Sequence, residues 1–143
     1  MFSAVLLREL GLEKHCASFA LASIFHDLFL EEGQTLKGAR ALREHPIRAA
    51  ELIQDLGDPL ACELVLHYHE EPDGTGFPSG KNIKDLTLLH AIFIVSERVT
   101  GCISKKPDNH SEAVLGFVDF VGDTYQKGVF GEAYRTFLKS LAY

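Results

Sequence analysis

Apolar residues recur at helical spacing along most of this chain, and no stretch keeps the period-two alternation of a half-buried strand. Phe2, Val5, Leu6 and Leu10 form a stripe that Gly11 ends, which reads as a first helix whose beginning is incomplete. From Glu13 to Leu30 the residues Phe19, Leu21, Ile24, Phe25, Leu28 and Phe29 cover most directions of a wheel, the pattern of a buried helix. A polar break from Glu31 to Thr35 follows, and Leu36 to Glu44 reads as a short charged helix or turn carrying Lys37, Arg40 and Arg43. His45-Pro46 then reads as a helix start, with the apolar side Ile47, Ala50 and Leu52-Ile53 running to Gly57. Asp58-Pro59 is a second start signal, for a helix that Pro72 ends after Glu70. Asp85 is expected to cap a long helix from Leu86 to about Ser104, with Leu89, Ile92, Phe93, Ser96, Val99 and Ile103 turned inward. A loop from Lys105 to Asn109 leads to two more amphipathic helices, Ser111 to Phe120 and Gly131 to Leu141. The fold class is all-α, a single domain over residues 1–143 without internal repeat or linker.

Two polar islands interrupt this apolar background. His26-Asp27 lies on the helix that is apolar all round, where an unpaired carboxylate would be costly, so Asp27 needs a cation, backbone amides or Arg48. The second island is the stretch His67 to Pro78. At about 100° per residue, Ala61, Cys62, Val65, Tyr68 and His69 share one side of their helix, so His69 points with the core residues. His67 falls on the far side with Glu63 and is expected in solvent. His45, at a helix start between the islands, reads either as a cap or as a third member of one site. Asp73-Gly74-Thr75-Gly76 has the side-chain acceptor and permissive glycines of a sharp turn, whose amides are suited to cradle an anion. His15, His90 and His110 read as surface or packing residues, and Lys81 and Lys84 as part of a solvated face.

Composition narrows the function classes. Charged residues make up 24% and apolar residues 46% of 143, enough to fold around one core. A net charge of -6 argues against extended nucleic-acid binding, whereas a small anionic ligand needs only a few local cations. Cys16, Cys62 and Cys102 are odd in number and widely spaced, so they read as core residues and not as disulfides or thiolate zinc ligands. No secretory signal or bilayer-spanning stretch is visible, which points to the cytoplasm and to no membrane partner.

With Phe25-His26-Asp27-Leu28, His45-Pro46, Tyr68-His69-Glu70 and Asp73-Gly74-Thr75-Gly76-Phe77-Pro78 in this order, the chain resembles the HD superfamily of metal-dependent phosphohydrolases, and within it the HD-GYP branch. The likeness runs over nearly the whole chain. Lys106-Pro107 is similar to the family's Arg-Pro loop, and Gly128 to Leu138 to its last helix. The resemblance implies a helical bundle of the HD-domain type that holds two or three iron or manganese ions and hydrolyses cyclic di-GMP. In it His26, Asp27, His45 and His69 would be metal ligands. Asp73, Gly74, Thr75, Gly76, Phe77, Pro78 and Lys106 would form a substrate or partner loop. Such metals suit nitrogen and oxygen donors, and they polarise a phosphoryl oxygen and supply hydroxide.

The chain departs from this pattern at the ligands. The family's opening histidine has no counterpart in Met1 to Leu10, Tyr68 stands in place of the first histidine of the adjacent pair, Leu30 in place of a lysine, and Ser96 in place of a carboxylate. The segment between Asp27 and His45 is shorter than in the branch. The expectation is therefore a degenerate HD-GYP-like signalling domain with impaired catalysis, serving protein interaction or regulation in bacterial cyclic di-GMP signalling. It would hold one divalent metal, iron or manganese, or none, and its partners would be cyclic di-GMP or other signalling domains. An N-terminal regulatory domain outside this chain would fit the incomplete first helix. The competing expectations are an active phosphodiesterase with a reduced metal site, in which Glu70 or Glu97 substitutes as ligand, and a sensor that binds a cyclic dinucleotide through Lys106 and the loop.

Overall fold

A computed structural model describes residues 2–30, 39–106, 108–121 and 123–141, with the backbone alone for 39–42. Among these residues the chain is all-helical, with seven α-helices: α1 Phe2–Glu9, α2 Cys16–Phe25, α3 Ala39–Asp55, α4 Pro59–His67, α5 Leu88–Lys105, α6 His110–Val121 and α7 Gly128–Ser140. No strand occurs among them; an isolated bridge pairs Asp73 with Asn82 in the loop before α5. None of these helices is long and apolar enough to cross a membrane.

The start and stop signals act where backbone groups need partners. Asp58 caps α4 by accepting from the Ala61 amide at 2.9 Å, with Pro59 in the first turn. Gly11 (φ +67°) and Gly57 (φ +79°) take the left-handed conformation that ends α1 and α3. The expected Asp85 cap is corrected: Thr87 caps α5 in a reciprocal box with His90, and Asp85 accepts instead from the Asn82 amide at 3.1 Å. His45-Pro46 does not start a helix either. α3 begins at Ala39 and runs through Pro46, which occupies an interior position without an amide proton to give. Lys37 lies outside the described residues.

α5 is the central element, packed by α1, α4, α6 and α7. Ile92, Phe93, Ile94, Val95 and Val99 are buried on it, against Leu6 and Leu7 of α1, Phe117 of α6, and Phe130 and Phe137 of α7. Phe19 of α2 meets Phe93 edge to face, with ring centroids 5.7 Å apart. α2 itself is not buried all round. It stops at Phe25, and Ile24 and Leu28 remain 70% and 52% exposed, because its partners, chiefly α4, lie on one side. Asp27 therefore sits at the rim of the bundle with half of its side chain exposed, and Arg48 stacks on Phe29 instead of pairing with it.

Candidate functional site

The end of α2, the middle of α3, the end of α4 and one side of α5 bring His26, Asp27, His45, Tyr68, His69 and Glu97 together. Tyr68 is the hub. Its hydroxyl is 2.6 Å from Asp27 Oδ1 and 2.5 Å from His45 Nε2. A carboxylate only accepts, so the phenol donates to Asp27 and its oxygen accepts a hydrogen bond from His45 Nε2–H. His69 Nε2 lies 3.3 Å from His45 Nε2, and His45 is 1% exposed.

His26 forms a second knot. Its Nδ1 donates to the Ser23 carbonyl at 3.0 Å, which turns Nε2 toward Asp27 Oδ2 at 3.2 Å and Glu97 Oε2 at 3.3 Å. Burial lowers the pKa of this imidazole, but the hydrogen bond and charge of Asp27 and the charge of Glu97 outweigh it, so the pKa is raised. Burial also pushes the Asp27 carboxyl up, yet hydrogen bonds from His26 and Tyr68 hold it at about 2. Glu97 is raised by burial, which its attraction to His26 does not offset. Burial, with the positive charges of Arg98 and His45, depresses His69 to about 3 and keeps it neutral. A cavity of about 540 Å³ opens over this cluster, lined also by Leu30, Arg98, Gly101 and Lys105.

The residues as arranged do not fit a metal ion. Among the described residues no three His, Cys, Asp or Glu side chains form a group that could hold one. The converging atoms satisfy one another instead: the Tyr68 hydroxyl stands between Asp27 and His45, and His26 is shared by two carboxylates.

Beside this cluster the Asp73 to Pro78 loop closes on the chain's own acceptors. Asp73 accepts from the Thr75 amide and hydroxyl at 3.0 and 2.7 Å, and Gly74 takes φ +81°. The amides of Ser79 and Lys81 donate to the fully buried Glu70 carboxylate at 2.8 and 2.9 Å. Phe77 gives its amide to the His69 carbonyl and stacks its ring on the His69 imidazole, with centroids 4.4 Å apart and Pro78 following in cis. Within the turn the Thr75 amide goes to Asp73 and the Gly74 amide to the Glu71 carbonyl. Glu70, held by the Ser79 and Lys81 amides beyond it, does not enter the site as a substitute ligand. Lys106 pairs with Glu112, and it is Lys105 that lines the cavity.

The wheel places Ser96 correctly in the core but misplaces His67. His67, expected in solvent, is 2% exposed, because the loop after α4 and the start of α5 cover that face; its ring lies beside His90 (5.6 Å) with Glu63 3.5 Å away. His90 is buried there too. Ser96 is in the core with its hydroxyl unpartnered, whereas Glu97 reaches His26. The cavity lies beside the core, so the face of α5 that lines it is about one residue's rotation from the core stripe. Arg98 and the bridging role of Tyr68 were the features that sequence reasoning missed, whereas Glu97, named as a possible substitute ligand, does stand beside His26. Comparison with protein families, with curated proteins and with solved structures finds no match to this chain.

Proposed function

We propose that this is a degenerate HD-GYP-like signalling domain, catalytically impaired and used in the cytoplasm as a protein-interaction or regulatory module in cyclic di-GMP signalling. The observation that carries the reading is the Tyr68 hydroxyl between Asp27 and His45, because it ties up with hydrogen bonds the atoms that a metal ion would need. Its partners would be other signalling domains or cyclic di-GMP itself. A second reading, a metal-dependent phosphodiesterase with a reduced metal site, draws support from Glu97, whose carboxylate stands beside His26 and Asp27. Metal analysis and hydrolysis assays on one preparation, purified without chelator, separate the two. Substoichiometric metal and no turnover of cyclic di-GMP with added manganese are expected. Two or more equivalents of metal together with robust turnover would establish the enzyme instead.

A further inference from the structure

Two cations of α5, Arg98 and Lys105, stand outside the hydrogen-bond network of Tyr68 and share one side of the helix with Gly101 between them. Both line the large cavity, and both also line a smaller one of about 180 Å³ formed with Glu97, Gly101, Cys102 and, from α6, Phe120. Gly101 keeps the wall between them open, since a Cβ there would meet nothing within 4 Å. Lys105 is exposed and has no hydrogen bond or ion pair among the described residues. Arg98 gives Nη2 to Glu71, and its Nε is buried without a partner, while its side chain lines both cavities. Glu71 is itself shared with the Tyr125 hydroxyl at 2.8 Å. Glu97, the acid in the small cavity's wall, is turned toward His26 and Ser23. Phe120 leaves 66% of its surface exposed at the edge of the cleft.

We propose that the cleft between α5 and α6 is an oxyanion-binding site, in which Arg98 and Lys105 together hold a phosphoryl group of a small molecule whose body packs on Phe120. A phosphoryl group has the charge and the acceptor oxygens to engage an arginine fork and an ammonium at once. The small cavity sets the size: it accommodates one or two phosphoryl groups, not an extended polyanion. The site does not depend on the chemistry at Asp27. Titration calorimetry of the full chain with inorganic pyrophosphate, at fixed ionic strength and in EDTA, tests it. EDTA removes binding through any metal near Asp27, so failure of the functional reading above leaves this result interpretable. Saturable binding is expected, weakened about tenfold or more in Lys105→Gln by loss of a charge-assisted contact. Gly101→Leu, which keeps both cations but fills the cleft, is expected to weaken it as much. Both positions have open surroundings, and circular dichroism checks that each variant is folded. No saturable binding, or unchanged affinity in either folded variant, overturns the proposal.

Discussion

Tyr68 donates its phenolic proton to Asp27 across 2.6 Å and so joins the end of α4 to the end of α2. The same oxygen accepts from the buried His45 of α3, so one hydroxyl holds three helices at the candidate site. Tyr68→Phe removes it and leaves His45 Nε2 without this acceptor. The expected loss is about 1–3 kcal/mol, the cost of unpairing a buried polar group, read from urea unfolding. Tyr68→His is expected instead to raise manganese or zinc uptake above that of the parent chain, since it replaces a neutral phenol with a donor between Asp27 and His45. Equal metal content in parent and variant would count against the reading of Tyr68 as the residue that blocks metal binding.

How far the sequence was legible follows from what helical periodicity encodes. All-α architecture, the stops at Gly11 and Gly57 and the Asp58 cap were readable because each is a local matter of backbone partners. The convergence of His26, Asp27, His45 and His69 was readable through the order of motifs. What was not readable depends on neighbours that a wheel does not contain. Nothing in the angle of His67 says that a loop anchored on Glu70 covers it. The angle of Ser96 likewise points to the core, while the cavity lies to one side of it.

Gly76 gives a sharp test of how the loop closes. A Cβ there would lie 2.4 Å from Glu70 Cα and from the Glu71 nitrogen, and backbone atoms cannot swing aside. Gly76→Ala is expected to destabilise by about 3 kcal/mol or more, or to open the loop, in line with overpacking costs. Gly116, inside α6 with nothing within 4 Å, is the contrast. Gly116→Ala should stabilise by roughly 0.5–1 kcal/mol through helix propensity. Thermal unfolding of the two variants side by side checks both signs.

Glu70 holds the far side of the same loop through the Ser79 and Lys81 amides. Glu70→Ala strands both donors, and about 2 kcal/mol or more of stability should be lost. Amide hydrogen exchange reads the event locally. Exchange at Ser79 and Lys81 should speed up more than exchange in the centre of α5. A uniform increase across the chain would show that Glu70 acts on global stability and not on this loop.

Two acid limbs should appear in stability against pH, from different residues. His90 is depressed from 6.5 to about 4, chiefly by burial and then by the charge of His67, so it stays neutral in the fold while the unfolded chain takes up its proton. The unfolded state then binds more protons between these values, and stability falls as pH drops from about 6.5 toward 4. Burial raises Asp27, but hydrogen bonds from His26 and Tyr68 hold it at about 2 against an ordinary 3.8. Its contribution is fully present above pH 3.8 and is lost as pH falls through about 2. His69, depressed to about 3, adds to the upper limb, so His90→Gln should make that limb shallower without abolishing it and leave the lower one. Asp27→Asn should chiefly remove the lower one, in urea unfolding repeated across the pH series. Curves that stay parallel to the parent's in both windows would remove these two residues as the source of the pH dependence.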